Sequence, residues 1–103
     1  MHTKNFKGYT LTNSILFYSK YFPRVHGTDL TTAFDNANKK GGADMELAID
    51  IFTAMAIAGT KELRDRVEEE GAEKVKTDIR AGIGFDDFVD ITKAVTEVLG
   101  EKK

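Results

Sequence analysis

Residues 43–58 read ADMELAIDIFTAMAIA, and twelve of the sixteen are apolar. Wound at about 100° per residue, Glu46, Asp50 and Thr53 fall on one narrow strip, and the rest of the circumference is apolar. A helix of that kind must be covered from several sides. In a chain of 103 residues there is room for one core, and this segment is its central pillar. The sequence therefore predicts an all-α domain of five or six short helices packed around residues 44–58. That domain is expected to span residues 1–103, with 1–9 as an arm and 100–103 as a frayed tail.

The flanking segments fit that plan. Phe6, Tyr9 and Leu11 allow a short strand near 6–11 or an ordered arm. From about Thr12 the pattern turns helical: Leu11, Ile15, Tyr18 and Phe22 recur at spacings of four, three and four, which places them on one face. Thr10 or Thr12 can cap this helix, and Pro23 is expected to end it. Gly27 opens the next segment with Thr28 or Asp29 as cap. Leu30, Ala33, Phe34 and Ala37 give it a slender apolar face, and the Lys39–Gly42 stretch stops it. Gly59 closes the central helix, and Thr60 is the expected cap of the one after it.

In that next segment Leu63, Val67, Gly71, Val75 and Ile79 recur every four residues. A spacing of four overshoots a helical turn by about 40°, so a straight helix would carry the stripe far round its axis. Gly71 sits at the midpoint, and two pieces, about 60–70 and 72–80, are expected. Gly82 and Gly84 form a second loop. A last helix runs from Phe85 to Leu99, with Phe85, Phe88, Val89, Ile91, Val95, Val98 and Leu99 on one half. Asp86, Asp87, Asp90, Lys93 and Glu97 occupy the other, where Lys93 can pair with Asp90 and Glu97.

Composition excludes several classes. No apolar run reaches the roughly 18–20 residues of a bilayer span, and Met1–Lys7 lacks the apolar stretch of a signal peptide, so a cytoplasmic protein off the membrane is expected. Without cysteine there is neither a disulfide framework nor a thiolate site. Residues 1–42 carry six Lys/Arg against two Asp, whereas residues 43–103 carry nine Lys/Arg against fifteen Asp/Glu. Either the two halves neutralise each other on packing, or copies of the chain attract one another head to tail.

Catalytic groupings are not evident. The two imidazoles are His2, near the start, and His26, in the turn between Pro23 and Gly27 with no acidic or nucleophilic partner at a local spacing. The acids Asp78, Asp86, Asp87 and Asp90 surround a glycine loop but miss the alternating oxygen ligands of a calcium loop, and Val89 stands where its closing glutamate belongs. Lys40-Gly41-Gly42 and Gly82-Ile83-Gly84 lack a phosphate-loop pattern. No enzyme, cofactor or metal is expected.

Lys4, Lys7, Lys20 and Arg24 gather near Phe17, Tyr18, Tyr21 and Phe22, a mixture that could stack and neutralise nucleic acid. The first helix is also apolar on more than one side: Leu16, Phe17 and Tyr21 lie off the Leu11–Phe22 face. These three are the candidate partner-binding residues, for an apolar partner or for another copy.

The order of segments resembles the tail assembly chaperones of long-tailed bacteriophages. The resemblance rests on Gly27-Thr28-Asp29-Leu30 opening a short helix, the apolar helix Met45–Ala58 after a loop, and the closing Phe85-Asp86-Asp87-Phe88-Val89-Asp90 helix that continues through Val95, Val98 and Leu99. Members of that family often open with a strand pair, of which this sequence offers at most one candidate strand. The resemblance implies a non-enzymatic protein of the host-cell cytoplasm. It would keep the long tape measure protein soluble and help tail tube subunits polymerise around it. The alternative is a small helical nucleic-acid-binding regulator using the basic, aromatic N-terminal region.

Overall fold

The computed structural model describes residues 3–39, 41 and 45–99; His2, Lys40, Gly42, Asp44 and the tail 100–103 lie outside the described residues. The expected helical architecture is present, with six α-helices and a short N-terminal β-hairpin among the described residues.

The hairpin pairs β1 (Thr3–Phe6) antiparallel with β2 (Tyr9–Thr12), in the register Lys4 opposite Leu11 and Phe6 opposite Tyr9. The segment is thus two strands rather than one. Lys7 and Gly8 form the two-residue turn with φ of 50° and 85°, the left-handed pair whose twist matches that of the strands. Period-two alternation puts Phe6, Tyr9 and Leu11 on one face. Phe6 and Tyr9 meet Phe52 edge-on, with ring centroids 5.6 and 6.0 Å apart. Thr10 and Thr12 belong to β2 and cap no helix.

The first helical segment departs from the expected register. A π-helical stretch, Phe17–Tyr21, runs directly into α1 (Phe22–His26), and the Phe22 N–H reaches back five residues to the Phe17 carbonyl. In an α-helix residues 17 and 22 would diverge by about 140°; the wider turn brings both rings onto the buried side. Their centroids are 6.0 Å apart. The buried face is therefore Phe17, Tyr21, Phe22 and Val25, while Ile15 and Tyr18 are exposed. Pro23 enters α1 instead of ending the helix. It lacks an N–H, and in a regular α-helix its ring would press on the Ser19 carbonyl, so a wide turn just before it suits it.

Next comes α2 (Leu30–Lys39), which buries Leu30, Ala33 and Ala37. Asp29 caps it, accepting from the Thr32 N–H at 3.1 Å and the Thr32 hydroxyl at 2.8 Å. These bonds hold its carboxyl below the usual range.

The pillar is α3 (Met45–Gly59), in which every residue from Asp50 to Ala58 is buried. It is flanked by β2, α1, the π-helical stretch and the last three helices. One polar position of its strip, Thr53, satisfies its hydroxyl on the Ile49 carbonyl at 2.8 Å.

The break at Gly71 is where the four-residue stripe requires it. α4 (Lys61–Glu70) and α5 (Ala72–Ala81) meet there at φ 94° and ψ 151°, a conformation suited to glycine. Leu63, Val67, Val75 and Ile79 all face the core. Arg66 clamps the corner by bridging Glu70 and Asp78. Thr60 stands at the N-cap position of α4, as expected, but its side chain makes no capping bond to the first turn. Its hydroxyl oxygen accepts the Thr10 N–H at 3.0 Å, tying α4 to the hairpin.

The last helix starts later than the pattern suggests. Phe85–Asp87 form a 3-10 turn, followed by α6 (Phe88–Leu99). Asp87 accepts the Gly84 N–H at 2.9 Å while its own N–H donates to the Gly84 carbonyl at 2.9 Å. Ile91, Ala94, Val95 and Val98 are buried; Phe85 and Val89, expected on the core face, are exposed. Glu97 pairs with Lys4 at 2.9 Å rather than with Lys93.

The charge asymmetry between the halves is met by cross-pairing. Lys4 meets Glu97, Lys7 meets Asp87 at 3.3 Å, and Lys20 and Arg24 share Glu68 at 3.3 and 3.8 Å.

Candidate binding groove and a buried charge cluster

The structure separates the three candidate partner-binding residues. Phe17 is 0% and Tyr21 3% exposed; both are core residues and cannot form a docking surface. Leu16, 42% exposed, remains outside. The physical reason is the π-helical register, which turns Phe17 and Tyr21 inward and Ile15 and Tyr18 outward. The same rotation leaves Tyr18 as the one exposed ring of the four expected to stack on nucleic acid, since Phe17, Tyr21 and Phe22 are all buried. The cations of that region are engaged by Glu97, Asp87 and Glu68.

A concave apolar surface lies elsewhere. α2, α3 and α6 enclose a groove of about 310 Å³. Its floor is Leu47, Ala48 and Ile51 of α3; Phe34 and Ala37 of α2 form one wall, and Val95 and Leu99 of α6 the other. The polar atoms at its edge come from Asn38, Thr92 and Thr96. Phe34 is half-exposed at the lip because the slender face of α2 buries Leu30, Ala33 and Ala37 and leaves the ring one step outside. On α6, Thr92, Val95, Thr96 and Leu99 fall within an arc of about 100°, and that helix lines the groove over about 10 Å. A groove of these dimensions matches two turns of a helix, or the lower end of small-ligand sites, at roughly 300 Å³. A smaller hollow of about 160 Å³ lies between the start of α3 and the Ile83–Phe88 segment.

The second feature is a charge cluster that local spacing could not reveal. Asp50, on the polar strip of α3, is 3% exposed. His26 Nδ1 lies 2.7 Å from Asp50 Oδ2, and Arg80 Nη2 donates to Asp50 Oδ1 at 2.6 Å and to Glu46 Oε1 at 2.7 Å. Lys76 Nζ stands 4.0 Å from Asp50 Oδ1 and donates to the Val25 carbonyl at 2.9 Å. His26 is thus no open turn residue: it stacks on Phe22 with centroids 5.1 Å apart and bonds to a carboxylate 24 positions away. Burial pulls the Arg80 guanidinium down, but the bonds to Glu46 and Asp50 outweigh it and raise the group overall. The cluster pins α1 and α5 to α3. A histidine oriented by an aspartate is also part of a general-base arrangement, but Phe22 covers one ring face, and His26 and Asp50 line neither of the two hollows.

Of the acids around the second glycine loop, Asp78 is held by Arg66 and Lys74, and Asp87 by Gly84 and Lys7. Among the described residues no helix is long and apolar enough to cross a membrane. Compared with protein-family models, curated proteins and solved structures, the chain matches none.

Proposed function

We propose that this protein is a non-enzymatic assembly chaperone that binds an apolar helical client in the groove between α2, α3 and α6. The client is a phage tape measure protein, held soluble in the host-cell cytoplasm until tail tube subunits assemble around it. The observation that carries this reading is the groove, an open apolar channel about two helical turns long with the half-exposed Phe34 ring at its edge. The N-terminal hairpin adds support, because phage tail chaperones often begin with a strand pair.

Binding of this kind is reversible and needs no reacting group. Burying apolar surface contributes about 25 cal/mol per Å², so a two-turn contact is weak alone and becomes useful when many copies line one long client.

Co-expression tests the reading. A long coiled-coil-like tape measure protein encoded just downstream is expected on this reading, and it should stay soluble with the wild-type chaperone and precipitate with Phe34→Asp. A Phe34→Asp variant that solubilises the client equally well would remove the groove from the account. A chain that ignores the client and shifts DNA in a salt-sensitive manner would replace the chaperone reading with a nucleic-acid regulator.

A further inference from the structure

We propose that a second copy of this chain docks on the smaller hollow, the Phe85 ring of each copy entering the hollow of the other. The contact is separate from the client groove of α2, α3 and α6 and does not rest on it. The hollow holds about 160 Å³ and is lined by Met45 and Ile49 of α3, Arg80 of α5, and Ile83, Phe85 and Phe88 at the entry to α6. An apolar space of about 150 Å³ accommodates a benzene molecule, so this one has room for a single phenyl ring. A ring of that size stands on the same patch. Phe85 is 83% exposed, more than any other large apolar side chain among the described residues. The turn that carries it is fixed: Asp87 accepts the Gly84 N–H and returns its own N–H to the Gly84 carbonyl, both at 2.9 Å, while Lys7 holds the Asp87 carboxylate at 3.3 Å. Little backbone ordering is left to oppose association. A knob and a matching hole on one patch are what an isologous two-fold contact requires, because each copy then supplies both halves. A client would need the hole alone.

The area suits a reversible dimer. Phe85, the half-exposed Met45 and the partly exposed Ile49, Ile83 and Phe88 present roughly 400 Å² of apolar surface, within the range that marks interaction sites. Apolar atoms make up about 60% of an interface, so the contact covers roughly 650 Å² per copy and about 1,300 Å² in all, the low end of specific interfaces. Charge does not direct it. Among the described residues Arg80 is the one charged side chain lining the hollow, and its Nη2 is already held by Glu46 and Asp50. An entering ring meets that guanidinium as a cation–π partner. Asp86, exposed beside the knob in both copies, adds a like-charge repulsion that salt screens. The dimer therefore persists at high salt, where head-to-tail attraction between the oppositely charged halves of the chain would fade.

Sedimentation velocity of the intact chain from about 1 to 500 μM, at about 0.1 and 1 M salt, tests this. Wild type should pass from monomer to dimer at both salt concentrations. Phe85→Ala removes the knob and Met45→Trp fills the hole from its rim. Each should weaken the dimer at least about tenfold at unchanged far-UV circular dichroism, since both positions are exposed. Mixed in equal amounts, the two variants should recover a heterodimer that neither forms alone, because one intact knob then meets one intact hole. Phe34→Asp, in the client groove, should leave the dimer as it is. A chain that stays monomeric throughout, a dimer indifferent to either variant, or a mixture no better than its components overturns the proposal. So does a dimer lost at about 1 M salt or in Phe34→Asp. The client reading is decided separately, by co-expression.

Discussion

Gly59 is the position where chain architecture can be tested by one methyl group. It ends α3 where that helix passes directly beneath β2. A Cβ there would press inside contact distance of the Thr10 carbonyl oxygen and lie 2.8 Å from its carbon, with the Leu11 carbonyl carbon at 3.4 Å. The obstacle is backbone, so no side-chain rotation relieves it. The strand is also tethered at that point, because the Thr10 N–H donates to Thr60 Oγ1 at 3.0 Å. Two effects of Gly59→Ala oppose each other. Helix propensity favours alanine by up to about 1 kcal/mol. Overpacking costs about 1–3 kcal/mol, and lifting the strand off Thr60 loses roughly 1 kcal/mol more. The steric side wins by about 1–3 kcal/mol, which lowers the Tm of a domain of this size by about 5–20 °C. Thermal and urea unfolding followed by far-UV circular dichroism would read it. A Gly59→Ala protein as stable as wild type, or more so, would refute the seating of the hairpin on α3.

Three further predictions concern the core and its charges. Asp50→Asn should cost about 2–4 kcal/mol in urea unfolding, since it uncouples His26 and Arg80 from α3; a loss below about 1 kcal/mol would mean that solvent already screens the cluster. Phe17→Ala should cost about 3–5 kcal/mol and behave as a core deletion, where a surface ring would give a change near zero. Acid should destabilise the fold in a defined window. Thr32 lowers Asp29, Arg66 lowers Glu70 and Asp78, and the Gly84 N–H and then Lys7 lower Asp87. A carboxylate depressed in the folded state stabilises it above the ordinary values of 3.8 for aspartate and 4.5 for glutamate, and that contribution is lost as pH falls through the folded value. Stability measured from pH 7 to 2 should therefore hold down to about pH 5 and drop below about pH 4; a profile with no acid limb would contradict these pairings.

The elements whose cause is local were legible in the sequence. The apolar circumference of α3, the cap at Asp29 and the four-residue stripe that forces a break at Gly71 each depend on residues a few positions apart. What escaped depends on long-range contact or on an unusual turn. Lys7-Gly8 is a weak hairpin signal because asparagine or aspartate more often takes the first left-handed position, so local pattern does not announce β1 and β2 as a pair. The five-residue turn at Phe17–Tyr21 breaks the 3.6-residue period, and the face read as Leu11–Ile15–Tyr18–Phe22 became Phe17–Tyr21–Phe22–Val25. For the candidate site the same limit applied. The sequence leaves open whether one small core covers every apolar helical face, and it places any excess on Leu16, Phe17 and Tyr21, of which the last two are buried. The groove is assembled by three helices distant in sequence, and the His26–Asp50 pair spans 24 positions, so neither leaves a periodic trace.

Titration calorimetry of the purified chain against a synthetic amphipathic helix with a leucine stripe tests the central claim most directly. The account predicts one helix bound per chain, with a negative heat-capacity change and at least about a tenfold loss of affinity in Phe34→Asp at unchanged helix content. A helix that does not bind, or that binds wild type and Phe34→Asp alike, would contradict it.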